Sequence, residues 1–259
     1  MIKLYIVVIT EVGMASIIEA CDNTIKEPFA GIKIFLWAIP VCMFFAGGAN
    51  MLCQSIGLLG LFLFIGLCVT TSNNIITKQS VLVPGINFVK ISLNALLALI
   101  AMLPYGLIAW FAYWAASFIQ IPYPILHDTL HIILDLLIAT IPLSALAILV
   151  RRMNPLEVLN IKKYLYGFGE IFLSMSYFLV RLALFSAVVV GFLVYIFSLF
   201  IGFENSLWTY LLSALGVFYA IIGANFFAQV SDEIYIFPEK EEDKAREQAE
   251  IQKILTRHK

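Results

Sequence analysis

Long runs of apolar residues, separated by short polar segments, dominate the pattern of the chain. The longest run covers residues 171–201, and Arg181 is its one formal charge. Because roughly 20 apolar residues of α-helix cross a bilayer core about 30 Å thick, a run of this length predicts a transmembrane helix. By the same reasoning we predict six spans, at residues 32–50, 52–70, 91–117, 129–150, 171–201 and 207–230.

The segments between the spans repeat a threefold pattern of an amphipathic approach, a span, a short turn and a span back. Residues 1–31 are the first approach segment, in which Ile17 and Ala20 share one face of a helix and acidic residues occupy the other. Such a helix is expected to lie in the membrane interface. The predicted fold class is all-α, a polytopic transmembrane bundle of six spans in three hairpins with amphipathic helices on the cytoplasmic side. Residues 231–259 predict a charged cytoplasmic helix.

Small residues in the second predicted span indicate close packing. Gly57, Gly60 and Gly66 let the backbone of a neighbouring helix approach, as small residues do between membrane helices.

Composition supports this interpretation and excludes other classes of protein. Hydrophobic residues make up 62% of the chain, charged residues only 13%, and the mean hydropathy is +0.96. A soluble domain has about 25% charged residues. The net charge of −1 gives no sign of a nucleic-acid partner. The four cysteines form no CxxC pair and are expected to be free thiols, with a Cys42–Cys53 disulfide as the alternative.

The distribution of basic residues predicts the orientation. Fifteen of the sixteen Lys and Arg residues fall before span one or at its very start, between spans two and three, between spans four and five, or in the tail. The three opposite turns have none. Because cytoplasmic loops carry an excess of Lys and Arg, both termini are expected in the cytoplasm.

Two charges lie inside predicted spans, and we predict that they pair. Arg181 lies about 16 Å into span five and Asp135 about 22 Å into span four, counted from their cytoplasmic ends. One interpretation is an ion pair that fixes the register of the helices. The alternative is a path for a solute or a proton, since charges inside membranes often mark such paths.

His127, His131 and Asp135 follow one another at intervals of four residues and therefore share a helix face. Histidines at this spacing suit a metal or proton-handling site. The alternative, a polar helix end at the interface, needs no metal, and no metal or other cofactor is predicted.

Ser174 and Tyr177 share a face with Arg181 in span five. This stripe lines a cavity or forms hydrogen bonds between helices. Asn225 and Gln229, four residues apart in span six, have the same two interpretations.

In the tail, three residues form an apolar stripe that suggests docking of a partner; the alternative is a solvated helix. The stripe consists of Ile251, Ile254 and Leu255.

Two phrases, VPGINFVKISLNALLALIAMLPYGLI and FYAIIGANFFAQVSDEIY, resemble uncharacterised prokaryotic families of six-span integral membrane proteins. In that class a Pro-Gly approach precedes a span with a central proline. The last span ends on a pattern of small residue, Gln and Tyr, here Ala228, Gln229 and Tyr235. The phrase NPLEVLNIKKYLYGFGEIF is similar to the Asn-Pro approach segments of related families. The resemblance implies the six-span architecture and no catalytic residues.

The chain contains no Walker loop, dinucleotide fingerprint, GxSxG or HExxH motif. We therefore predict a non-enzymatic subunit or scaffold of a membrane assembly in the prokaryotic inner membrane. Its partners would be the lipid bilayer and either another protein or further copies of the chain. A small-solute transporter or channel with an Arg181–Asp135 site is the alternative, and a membrane enzyme or metal site at His127, His131 and Asp135 is the third hypothesis.

Overall fold

The computed structural model describes residues 16–46, 51–79, 81, 83–84, 87–119, 122–200 and 206–233. Helix is the only regular secondary structure among these residues, which confirms the all-α prediction. The helices are α1 (Ile17–Lys26), α2 (Ala30–Ala46), α3 (Met51–Ile76), α4 (Phe88–Ala116), α5 (Pro124–Arg152), α6 (Pro155–Val158), α7 (Ile161–Phe185), a π-helical turn (Ser186–Val190), α8 (Gly191–Phe200) and α9 (Ser206–Glu233).

Five helical stretches in the described part of the chain are long and apolar enough to cross a membrane. They are α3, α4, α5, α9 and the continuous helix that runs from α7 through the π-helical turn into α8. The count rises to six if α1 and α2, which are bent by 98° relative to each other, form one span. The structure is therefore that of a multi-pass membrane protein with five or six spans.

The first predicted span differs from the others. Its helix, α2, has 17 residues and contains Pro40. This is shorter than the roughly 20 residues that cross a bilayer core. Residues 47–50, at the end of the predicted span, lie outside the described residues, as do residues 1–15 of the predicted interfacial segment.

Two helices extend beyond the spans predicted from the sequence. Helix α3 continues past residue 70 to Ile76, so the polar run from Thr70 to Asn74 belongs to the helix. Helix α7 starts at Ile161, within the predicted approach segment, whereas the stretch apolar enough to span a membrane, Gly169–Ile196, begins close to the predicted residue 171. Polar side chains alone do not end a helix, because the helix keeps its own backbone groups hydrogen-bonded.

Helix α9 occupies the centre of the arrangement. It contacts α1, α2, α3, α5 and α7. Its most hydrophobic stretch is more buried than that of any of the other four helical stretches that are long enough to span a membrane. Helices α3, α4, α5, α7 and α9 form a ring in which each contacts the next, and α9 contacts α3 to close it. The core therefore forms around the last span of the chain.

The glycines of α3 make the close approaches that the sequence predicts. A Cβ atom at Gly57 would lie 2.5 Å from the Cα of Phe44, and one at Gly60 would lie 2.1 Å from the Cβ of Pro40. At Gly66 it would lie 2.0 Å from the carbonyl oxygen of Ile91. Real Cβ atoms do not approach so closely, so these positions require glycine.

We expect Gly66→Ala to destabilise the protein by about 1–3 kcal/mol, the usual cost of overpacking, because α3 and α4 must separate to admit the methyl group. Unfolding in mild detergent, followed by helical circular dichroism, measures the loss. The matched control is Gly106→Ala in α4, where a Cβ would meet nothing within 4 Å. Equal stability of the Gly66→Ala variant and the wild type would contradict the predicted contact.

Candidate functional site

Polar side chains near one end of the bundle join α3 to three other helices. The hydroxyl of Ser72 donates to the carbonyl of Ala224 at 2.8 Å, and the amide of Asn73 donates to the carbonyl of Val150 at 2.7 Å. The amide of Asn94 donates to the hydroxyl of Thr70 at 2.8 Å. We call these four side chains, Thr70, Ser72, Asn73 and Asn94, the polar layer. It lies toward the end of the bundle where α5 terminates in Arg151 and Arg152, which we call the basic end.

The N-terminal helix α1 is attached to α9 by a second group of polar side chains. The amide of Asn225 donates to the carbonyl of Ala20 at 3.2 Å, and the backbone amide of Ser16 donates to the side-chain oxygen of Gln229 at 3.0 Å. Gln229 in turn donates to Asn225 at 3.1 Å. Asn225 is only 1% exposed. Of the two interpretations of Asn225 and Gln229, the structure therefore favours hydrogen bonding between helices.

A cavity of about 830 Å³ lies inside the ring of α3, α4, α5, α7 and α9. Its lining is apolar apart from the hydroxyls of Ser72 and Tyr219 and the thiol of Cys68. Both hydroxyls are already used: that of Ser72 donates to Ala224, and that of Tyr219 donates to the carbonyl of Leu182 at 3.1 Å. The cavity therefore suits an apolar ligand.

The cavity is open to the outside of the bundle. Leu103, which lines it, is 62% exposed. Because the helices that form it are apolar enough to span a membrane, the surrounding lipid can reach this space.

Arg181 and Asp135 do not form the predicted pair. Both side chains are exposed, and among the residues that the structure describes no ion pair joins them. The guanidinium of Arg181 lies 5.0 Å from the centre of the Tyr177 ring, one turn nearer the start of α7. Asp135 has neither a hydrogen bond nor an ion pair to any described residue.

The heights of the two charges explain why they do not meet. Val150 lies at the polar layer, and Asp135 is fifteen residues, about 22 Å, away along α5. Arg181 adjoins Leu182, which bonds Tyr219, only five residues or about 8 Å along α9 from Ala224 in the layer. The sequence-based depths of Arg181 and Asp135 were each counted from the predicted end of its own span, so they did not reveal this difference.

The other residues of the predicted polar stripe lie away from the cavity. Ser174 is buried and Tyr177 is half-buried, with its ring 6.2 Å from that of Phe226. The α7 residues that line the cavity are instead Phe178, Leu179 and Leu182. The stripe therefore packs against neighbouring helices.

His127 and His131 contact each other at the start of α5, with ring centroids 4.3 Å apart. Nδ1 of His127 lies 3.4 Å from Oδ1 of Asp128, and Nε2 of His131 lies 3.3 Å from the carbonyl oxygen of Ile119. Neither ring bonds Asp135. No group of three His, Cys, Asp or Glu side chains that could hold a metal ion occurs in the described ranges.

Two further predictions concern individual side chains. All four cysteines are free thiols, as expected. The predicted docking stripe, Ile251, Ile254 and Leu255, lies outside the described residues.

Comparison with known proteins provides no relative for this site. No protein-family model matches the chain, and neither a curated protein nor a solved structure shows significant similarity to it.

The sequence contained a signal for the polar layer that the prediction did not use. Five consecutive residues, Thr70 to Asn74, are polar next to an apolar run, and Asn94 stands alone in the following span. Polar residues inside a spanning helix require partners on neighbouring helices. The cavity has no comparable signal, because its apolar lining resembles any lipid-facing surface.

We expect Asn225→Leu to release α1 from α9, because the carbonyl of Ala20 loses a donor and Gln229 loses its acceptor. Loss of a buried hydrogen bond costs about 1–3 kcal/mol. The readout is maleimide labelling of Cys21 in a chain whose other three cysteines are replaced by alanine, and labelling should become faster. Ser213→Ala is the control, since that hydroxyl bonds only the Thr209 carbonyl of its own helix. Unchanged labelling of the Asn225→Leu variant would show that this contact does not hold α1.

The absence of an Arg181–Asp135 contact predicts additive effects on stability. In a double-mutant cycle of Arg181→Leu and Asp135→Leu, the free energies of unfolding should add to within about 0.5 kcal/mol, as they do for separated sites. Denaturant unfolding in detergent measures all four chains. A coupling energy above about 1 kcal/mol would show that the two side chains interact, as the predicted ion pair requires.

Proposed function

We propose that the protein is a non-enzymatic subunit or scaffold of a membrane assembly. Asp135 is the observation that carries this proposal. Its carboxylate is exposed on α5, a helix long and apolar enough to span the membrane, and no described residue pairs with it. A charged group that faces the hydrocarbon of a bilayer is costly, by about 2.5–3.5 kcal/mol at the centre. A cationic or hydrogen-bonding group on an adjacent subunit would offset that cost.

The use of polar groups inside the described bundle supports the same proposal. Ser72, Asn73 and Asn225 donate to backbone carbonyls of other helices, which is a structural use of these side chains. Arg181 is placed over Tyr177, and helical side chains point toward the start of their helix, here the basic end. A long cationic side chain in this position reaches toward the membrane surface.

We infer from the Lys and Arg distribution that the basic end faces the cytoplasm of a prokaryotic cell, with both termini on that side. The exposed aromatic side chains of Tyr113 and Trp114 lie at the opposite end of α4, where interfacial aromatic belts are expected. In this orientation α1 lies at the cytoplasmic face. The tail beyond residue 233 would extend the docking surface there.

One observation favours the alternative of a small-solute transporter. Asp135 lies eleven residues, about three turns, from the cavity-lining Leu146 and thus on nearly the same face of α5. A polar solute would, however, find no free hydroxyl donor on the cavity wall, since Ser72 and Tyr219 both donate to backbone carbonyls. The enzyme hypothesis at His127 and His131 has less support, because neither ring bonds Asp135.

The test is purification of the tagged chain from its native membrane in mild detergent, with mass spectrometry of the proteins that remain bound. We expect a stoichiometric partner with the wild type and with Asp128→Leu, which removes an exposed carboxylate near the start of the same helix. Asp135→Leu should lose that partner while the isolated chain unfolds at the same temperature. Deletion of residues 238–259 tests the tail separately.

A wild-type chain that elutes as a clean monomer without any stoichiometric partner would refute the subunit proposal. Retention of the partner by Asp135→Leu would remove Asp135 from the interface. Flux of a solute through vesicles that contain the chain alone, abolished by Asp135→Leu, would favour the transporter.

A further inference from the structure

We propose that the central cavity binds one acyl chain of a membrane phospholipid. The proposal concerns a site that the subunit function does not use. It rests on the lining of the cavity, on its opening and on its closed end, and it does not depend on any protein partner.

The lining decides the chemistry of the ligand. All five helices of the ring contribute apolar side chains, such as Met102 of α4, Leu146 of α5 and Phe227 of α9. The two hydroxyls on the wall are already donors to backbone carbonyls. A polar headgroup would therefore lose its hydration and find at most two hydroxyl oxygens as acceptors, whereas a hydrocarbon chain loses nothing. The volume of about 830 Å³ falls within the usual range of ligand pockets, about 300–1,000 Å³.

The opening decides the source of the ligand. Leu103, which lines the cavity, is 62% exposed, and Leu99 and Ile65 are 44% and 40% exposed. These side chains lie on α3 and α4, which are long enough to span a membrane. The wall is therefore in contact with the lipid phase, where acyl chains are the surrounding solvent. A chain enters sideways from the bilayer, and its headgroup stays outside.

The polar layer closes the cavity at the basic end. Ser72 and Ala224 both line the cavity, and the hydrogen bond between them joins α3 to α9 across it. On α9 three of the five lining residues, Ala220, Gly223 and Ala224, are small and leave room for the chain. A Cβ atom at Gly223 would lie 3.7 Å from Leu182, in ordinary contact, so a larger side chain is admitted at the expense of the cavity.

The experiment uses the full chain in vesicles of phosphatidylcholine that contain a diazirine-bearing acyl chain. After irradiation, mass spectrometry maps the labelled residues. We expect labelling of Met102, Leu146 and Phe227 to exceed that of the exposed Leu107 and Ile108 on the outside of α4. Cavity labelling no greater than this surface labelling would overturn the proposal using the wild type alone.

A matched pair of variants tests the cavity itself. Gly223→Phe should obstruct the cavity beside Leu182 and lower cavity labelling roughly tenfold or more, the discrimination that an apolar pocket shows for as little as one methylene group. Gly216→Phe adds the same ring on the same helix, at a position where a Cβ meets nothing within 4 Å, and should leave the labelling unchanged. Ala220→Leu provides a second filling variant, and a monodisperse elution profile checks that each chain folds. Cavity labelling of the folded filling variants at the wild-type level would refute an acyl chain in this space.

Discussion

Polar groups that are buried between membrane-spanning helices have little water to bond and need partners within the protein, and this constraint organises the basic end of the described structure. The polar layer meets it by joining α3 to α4, α5 and α9. Ser72 reaches α9 and Asn73 reaches α5, so one helix end positions two neighbours. Asn225 repeats the arrangement for α1. The bundle is therefore crosslinked near its basic end by hydrogen bonds whose loss would leave buried donors or acceptors without a partner.

This crosslinking explains both the length of α3 and the location of the cavity. In the polar run from Thr70 to Asn74, the side chains of Thr70, Ser72 and Asn73 bond other helices of the bundle, and the helix continues to Ile76. Beyond the layer, single hydrogen bonds such as that of Tyr219 with Leu182 join neighbouring helices, and packing brings the backbones close at positions such as Gly66. Where the facing side chains do not meet, the ring of five helices leaves the cavity, with the Ser72–Ala224 bond at its closed end.

The prediction from sequence succeeded for features that a single segment encodes. It failed for features that depend on how deep a residue lies in the membrane and on which helices are adjacent. Apolar length is a local property, and it identified helices as different in polarity as α3 and α9. The glycines of α3 were also identified, because a small residue in a span has few other uses. The pairing of Arg181 with Asp135 failed because a span boundary read from polarity is not a fixed level in the membrane. Measured from the polar layer, Asp135 lies about 22 Å away along α5, whereas Arg181 lies at a level only about 8 Å away along α9. The cavity is the space that five separate helices leave between them, so no single segment of the sequence predicts it.

The charges of Arg181 and Asp135 each need stabilisation within an apolar helix. The described chain provides it for Arg181 but not for Asp135. Arg181 has a long side chain and an aromatic face 5.0 Å away, which together stabilise a cation near a membrane surface. Asp135 has a short side chain that cannot reach the surface from its helix, and no described residue pairs with it. A structural role accounts for the arginine without any further molecule. The aspartate requires one, and this asymmetry is the reason to seek the function of the protein at Asp135 and in whatever lies against it.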